Sequence, residues 1–491
     1  MAYTKAPSVA TNSTERVDFM YNSQARDATS PDKDSRLVNM MVEVLPSPNQ
    51  SNTRAIIKSR PGMTTVYTPS SGIGRAIYYW VFGSVGYTIT INANNVCVNG
   101  VTLSTLTTST GPVGFVEHVN SLGQVTLFMC DGDKGYVFTN PAVAPTLITD
   151  VNFPSPHIPH PIFLDGYIFV AKSATQDVYN SELDTPTSWS EGGVGGPMYI
   201  SSEMYPDNIR ALSKNNNYLY AIGRTSIEYF YNAATSTGSP LQREQSAVQQ
   251  FGTPAPQSVV QTEKEVILIG ETGNGGYTVW AIEGFKEKEI STIAVRSILR
   301  LEGTALATAR GSCIRVMGQK LYVIKLTTRT LVYSFDTQMW SEWRSGATND
   351  SNFIGGFMAD GEGGSAYILT DNGLQVGKMD EEQVTDFGTL ILCEVTTPKY
   401  DFGTINRKFM HRLSLIGDTP DPEGGVNSFN ISWTDDDYFT WSAPRTLTFN
   451  FDFPVITQLG AFRRRAFRIS YLSTFPFRLD GMEFDINKGS Q

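Results

Sequence analysis

Four cysteines and four histidines are spread over 491 residues, and that scarcity removes several classes of protein at once. Cys97, Cys130, Cys313 and Cys393 lie far apart, and none forms a C-x-x-C pair. Each sits in or beside an apolar run, so they read as buried reduced thiols rather than a disulfide framework or a zinc site. Of His118, His157, His160 and His411, only His157 and His160 are close in sequence. Pro156, Pro159 and Pro161 extend that segment, and no further ligand follows at a metal spacing, so it reads as a rigid linker between structural units. No metal or other cofactor is expected. No apolar stretch approaches the ~20 residues that span a bilayer. Met1-Ala-Tyr-Thr-Lys5 is not followed by the apolar segment of a secretory signal. Membrane insertion is therefore not expected. The chain has no G-x-S-x-G elbow, no H-E-x-x-H and no phosphate-binding G-x-x-x-x-G-K-[ST] loop, and no enzymatic activity is expected. Basic residues are also in deficit, with 38 Lys and Arg against 48 Asp and Glu, a net charge of −10 and a pI near 5.1. A protein that grips DNA through its phosphates needs a basic surface.

What remains is a folded chain with many turns. Hydrophobic residues make up 40% and charged residues 18%, with 43 Gly and 25 Pro and a mean hydropathy of −0.19. Helix-period stretches are scarce, while Thr, Ser, Asn, Val and Tyr are abundant, which points to an all-β protein. Short runs of aromatic and β-branched residues begin at Ala76, Val125, Tyr167, Tyr218, Val266, Leu321 and Ala366. Gly, Asn and Asp turns follow several of them, as in Phe82-Gly-Ser-Val-Gly86 and Thr370-Asp-Asn-Gly373. Recurrence at roughly 40–50 residues, with several strands per unit, is the signature of a β-propeller. The spacing predicts six or seven blades over residues 63–385. Trp189, Trp340 and Trp343 near the ends of units are expected to pack between blades.

Residues 1–35 are polar and read as an extended or irregular arm. Strands over 37–45 and 55–58 precede the turn Arg60-Pro-Gly62, and residues 1–62 as a whole are an arm plus strands that either close the last blade or form a separate platform. From 386 to 491, six period-two runs predict a C-terminal β-sandwich, with Gly417–Gly425 as a surface turn.

Three polar clusters compete for a role. Asp131-Gly-Asp133 resembles a calcium loop, but the twelfth loop position is Ala142 rather than an acid. Thr434-Asp-Asp-Asp-Tyr438 reads as a solvated hairpin turn. Arg463, Arg464 and Arg465 form the strongest basic run. They are either a contact for a partner or the polar face of the strand that continues through Phe467 and Ile469. Given the acidity of the chain, a protein partner is favoured over DNA.

Several phrases then line up in order: Arg36-Leu-Val-Asn-Met-Met41, Ser59-Arg-Pro-Gly-Met63, Ala221-Ile-Gly-Arg-Thr-Ser-Ile-Glu-Tyr-Phe-Tyr-Asn232, Gly252-Thr-Pro-Ala-Pro-Gln-Ser258, Ile290-Ser-Thr292, Tyr333-Ser-Phe-Asp-Thr-Gln-Met-Trp340, Ile431-Ser-Trp433 with Trp441, and Leu459-Gly-Ala-Phe-Arg-Arg-Arg465. This colinear set resembles the tail-hub (nozzle, or packaged-DNA stabilisation) proteins of short-tailed bacteriophages. The resemblance implies a structural virion protein of the phage tail, assembled in the host cytoplasm. It implies a homo-oligomer, a hexameric ring, below the portal-adaptor (head-to-tail connector) protein. Such a ring extends and helps to close the DNA exit channel, and docks a tail fibre, spike or needle protein. Double-stranded DNA would pass without sequence-specific binding, and an acidic lumen would let it slide. Two other readings stay open on the residues alone, a glycan-cleaving propeller with converging carboxylates at its axial mouth and a glycan- or protein-binding propeller at the bacterial surface.

Overall fold

The computed structural model describes residues 12–18, 35–45, 54–235, 237–272, 276–418, 427–449 and 454–489. Among these, seven small antiparallel sheets follow one another around a ring. Blade one holds Gly74–Phe82, Val85–Asn92, Asn95–Val98 and Val101–Thr105. Blades two to six follow at residues 114–147, 162–201, 211–249, 251–289 and 310–345. Blade seven takes three strands from the C-terminal side, Gly355–Asp360, Ala366–Thr370 and Val376–Asp380, and its fourth, Gly62–Tyr67, from the N-terminal side. The ring is thus seven-bladed and is closed by a strand made about 300 residues before its partners.

The apolar runs are second strands in blades two to seven and the first strand in blade one, which is one source of their uneven spacing. Two insertions account for the longest intervals. Residues 181–198 bulge out within blade three. The single α-helix among the described residues, Ile293–Glu302, stands between blades five and six. Thr292 caps that helix by accepting a hydrogen bond from Val295 N, and Val295, Ile298 and Leu299 bury into the two blades.

These strands read as unbroken apolar runs because both faces of each blade are covered. Adjacent residues point to opposite neighbours. Phe169 packs with Phe230 of blade four, and Val170 packs into the cluster that holds Phe128 of blade two. Leu268 faces blade four and Ile269 faces blade six; Val323 faces blade seven and Ile324 blade five. The last cluster joins Leu369 and Val376 of blade seven to Ile77 of blade one, so the ring seals. Trp189 packs edge-on against Phe153, Trp343 is wholly buried, and Trp340 donates to Ile290 O at 2.8 Å. In the hairpin turn of blade seven that packs against the start of blade one, Gly373 has φ +68°, and a Cβ there would meet Gly72 O at 2.0 Å.

The blades' first strands converge on the ring axis. His160, just before the first strand of blade three, bonds Gln257 beside the first strands of blade five at 2.9 Å. Blades three and five are not neighbours, so this contact crosses the centre of the ring.

Beyond the blades, two further sheets face each other across one core. One contains Met40–Leu45, Arg54–Ser59, Arg478–Lys488, Lys408–Gly417 and Val455–Thr457; the other contains Arg36–Val38, Cys393–Thr396, Ala466–Tyr471, Asn427–Thr434 and Arg445–Phe449, and continues into the last strand of blade six through the parallel pair Val38↔Glu342. Val42, Leu413 and Phe484 from the first meet Val395, Ile431 and Phe467 from the second. Of the two roles left open for the strands before residue 62, they take the separate unit: Arg36–Val38, Met40–Leu45 and Arg54–Ser59 build these two sheets, and the strand that completes the propeller, Gly62–Tyr67, begins only at that boundary. Residues 1–35 are not irregular throughout, since Asn12–Asp18 is a strand paired with Arg478–Lys488. Most of the Gly417–Gly425 turn, and the rest of the arm up to residue 34, lie outside the described residues.

Blade-to-blade packing sets a scale for stability. Phe230→Ala, at a wholly buried position, is expected to cost about 3–5 kcal/mol. Val151→Ala, 92% exposed, should stay within ~0.5 kcal/mol of the parent chain. Urea unfolding of the two variants measures the difference.

Candidate partner-contact sites

The chain switches from the two-sheet unit to the propeller at Arg60-Pro61, and a densely bonded polar cluster sits there. Arg60 has no exposed surface. Its Nη atoms donate to Asp386 Oδ1 at 3.0 Å and Oδ2 at 2.6 Å, to Pro61 O at 3.0 Å and to Arg344 O at 2.9 Å; its Nε donates to Asn39 Oδ1 at 3.0 Å. All five guanidinium hydrogens are thereby used. The guanidinium also lies 4.9 Å from the Phe353 ring and 5.7 Å from Trp343. Asn39, held at φ +54°, accepts from Arg344 N at 2.7 Å and donates to Leu392 O at 2.9 Å. Gly62 follows because a side chain there would overlap Thr385 O. Asn39 and Arg60 belong to the sequence phrases singled out above. Nothing local in sequence points to their partner Asp386.

Beside this clamp, between blades six and seven, lies a cleft of about 660 Å³ lined by Arg310, Lys325, Ser345, Asn352 and Asp371. Asp371 bridges Arg310 at 3.0 Å and Lys325 at 2.8 Å. Burial pulls the Lys325 ammonium below its usual pKa, and Asp371 acts in the opposite direction. Glu263, Arg315, Lys320 and Asp360 form a second relay across blades five, six and seven. The Lys320 ammonium is the main influence holding the Glu263 carboxyl down to about 2.

The basic run and the acidic turn, read separately from the sequence, are partners. Arg465 is buried, donating to both oxygens of Asp435 at 2.8 Å and to Leu459 O at 2.7 Å, with its guanidinium 4.4 Å from the Phe462 ring. Its guanidinium is turned away from any outside partner. Arg464 is exposed and meets Asp437 at 3.1 Å, which Lys399 also contacts at 3.2 Å. Arg463 is exposed and donates to Ile405 O at 3.0 Å. Asp436 closes its own turn, and the Thr440 hydroxyl is the chief cause of its low pKa of about 2. The register Thr434↔Ala466 brings the two runs together. That antiparallel neighbour relation is the signal the sequence reading missed.

Asp131 likewise serves its own turn. Burial alone would raise its pKa, but hydrogen bonds from Lys134 N, Thr108 and Asp133 N hold it low. His157 accepts from Gly132 N and lies 2.9 Å from Pro154 O. His160 spans the axis as described. Each ring is thus engaged with another blade, His157 with blade two and His160 with blade five. Among the described residues no group of three His, Cys, Asp or Glu is placed to hold a metal. No helix among them is long and apolar enough to cross a membrane.

Seven closed blades define the chain as a β-propeller. It belongs to the family described as "Bacteriophage P22 Gp10, beta-propeller", whose sequence model matches residues 25–383, a span that takes in every blade. Membership makes it a phage structural protein. Among solved structures it is similar to the extracellular domain of the putative one-component system BT4673 from B. thetaiotaomicron, with 9% identity and a TM-score of 0.40, over 74% of this chain and 44% of that one. It is also similar to the N-terminal domain of Nup159, with 10% identity and a TM-score of 0.36, over 68% of this chain and 97% of that one. A third is Hsv2 of Kluyvelomyces marxianus, with 8% identity and a TM-score of 0.30, over 57% of this chain and 71% of that one. No curated protein matches the chain.

Two predictions follow from this geometry. Arg60→Met leaves Asp386 charged and unpaired in the interior and is expected to cost about 3–5 kcal/mol, while Arg60→Met combined with Asp386→Leu should recover most of that. Arg464→Ala, by contrast, should change stability by less than ~1 kcal/mol. Denaturant titration of the variants checks all three.

Burial lowers the pKa of His118, His157 and His160, the last to about 4. Unfolded imidazoles titrate near 6.5, so the unfolded chain binds more protons below that pH. The stability that these three histidines contribute is complete above about 6.5 and is lost as pH drops toward 4. His160→Gln should flatten the lower part of that limb in thermal melts taken from pH 7 to 4.

Proposed function

We propose that this chain is the subunit of the tail nozzle or hub of a short-tailed phage. In this reading the chain comprises N-terminal strands (1–62), a propeller (63–385) and a C-terminal β unit (386–491), with residues 36–59 contributing to the last. Copies form a sixfold ring below the portal-adaptor protein, extend the DNA exit channel, help to close it, and dock a fibre, spike or needle protein. The observation that carries this reading is the family match across residues 25–383.

The physics supports it. A propeller with both faces of every blade buried is a stiff disc, suited to stacking around an axis. A heterologous contact repeated with a closing rotation makes a ring. A net charge of −10 repels DNA phosphates, so a duplex can slide past without adhering. Arg463 and Arg464, exposed at the edge of the two-sheet unit, are the proposed contact for an acidic partner surface; Arg465 positions the loop beneath them.

Electron microscopy of virions tests the proposal. Copies of this chain are expected to encircle an axial channel at the tail, with a particle mass matching a sixfold ring. A single monomer per virion, or copies placed off the axis, would overturn it.

A further inference from the structure

We infer that the sheet edge Gly481–Asn487 is a strand-acceptor site, and that in the assembled protein it accepts Asn12–Asp18 of a second copy of this chain. The inference rests on the ring reading above for the arrangement of copies, but not for the chemistry of the edge.

Arg478–Lys488 is paired along most of one side by Lys408–Gly417. On its other side, Arg54–Ser59 pairs only with Arg478 and Leu479. The backbone from Gly481 to Asn487 would otherwise be an open edge, with Met482, Phe484 and Ile486 buried behind it. Open edges of this kind recruit extended chains. Asn12–Asp18 fills it antiparallel over seven residues, from Asn12↔Asn487 to Asp18↔Gly481.

The fit is made by the backbone ladder and by polar side chains. Thr14 Oγ1 donates to Asp485 Oδ1 at 3.1 Å, and Lys488 Nζ donates to Glu15 Oε1 at 2.9 Å. On the outer face Arg412 bridges Glu483 and Asp485, and those two residues lie opposite Arg16 and Thr14 in register. Ser13, Thr14, Glu15 and Arg16 are all at least partly exposed, and none belongs to the core of the two-sheet unit. The side-chain contacts that Thr14 and Glu15 make with this edge are therefore polar, carried on an extended backbone ladder.

Every copy carries both halves of this match. Residues 19–34 could span roughly 50 Å if extended, so chain length does not tie Asn12–Asp18 to the edge of its own chain. Strand donated to neighbour, repeated in one sense, is a heterologous contact that closes around a ring.

The test uses full-length chain with Cys313→Ser, since Cys97, Cys130 and Cys393 are buried. Thr14→Cys and Asp485→Cys are placed on separate chains with different tags, co-expressed, isolated in the assembled form and oxidised. Cross-strand neighbours lie within disulfide reach, and a bond joining the two single variants can form only between chains. The expected result is a two-chain species on non-reducing gels that is lost on reduction. A chain carrying both substitutions should give a ladder of linked chains. The exchange is overturned if the mixed single variants give no product while the double variant closes within one chain, or if neither arrangement cross-links. Imaging the same preparation separates the two readings. A ring with only intrachain bonds overturns the exchange alone, whereas no ring and only intrachain bonds overturns both.

Discussion

One buried ion pair fixes how the two parts of this molecule meet. Arg60 and Asp386 are far apart in sequence, and together they sit where the chain leaves the two-sheet unit and enters the propeller. A guanidinium with no exposed surface is tolerable only if its charge and all its hydrogens are matched. Asp386, Asn39 and the carbonyls of Pro61 and Arg344 do that, with Phe353 and Trp343 beside the guanidinium. The consequence is geometric. Arg60 can be satisfied only when blade six, the closing strand of blade seven and the segment around 386 are all in place. The pair therefore reports, in one interaction, that the ring has closed in the correct register.

Much of the architecture was legible in the amino-acid order. The recurrence of apolar runs was visible because both faces of a blade are buried, so Tyr167–Ala171 or Val266–Ile269 shows no polar alternation to confuse it with a surface strand. The Gly and Asn turns marked the hairpins for the same local reason. Blade number was ambiguous because the first run, at Ala76, falls on a different strand from the other six, and because the helix after Thr292 stretches one repeat. The role of residues 36–67 could not be read because strand pairing across hundreds of residues leaves no local trace; only the turn Arg60-Pro-Gly62 hinted that the chain changes direction there.

The polar clusters show the same limit from the other side. Arg463–Arg465 and Asp435–Asp437 looked like separate surface features. In the fold they answer one another across adjacent strands, and Arg465 is drawn inside while Arg463 and Arg464 stay out. Local sequence showed the charges but not the register that pairs them. The calcium-like turn at Asp131 and the His157-Ile-Pro-His160 segment follow the same rule: each spends its polar atoms on its own turn or on another blade. Such residues hold their own loops in place on the propeller.

The way blade seven is completed also has a temporal side. Gly62–Tyr67 emerges from the ribosome early, yet the strand it must join, Val376–Asp380, is made about 300 residues later. At 5–20 residues per second, that strand waits on the order of tens of seconds without its partner. Blades one to six can stack as they appear, each on the one before, while the seam stays open. Translation thus builds an open spiral first, and the wheel shuts only near the end of synthesis.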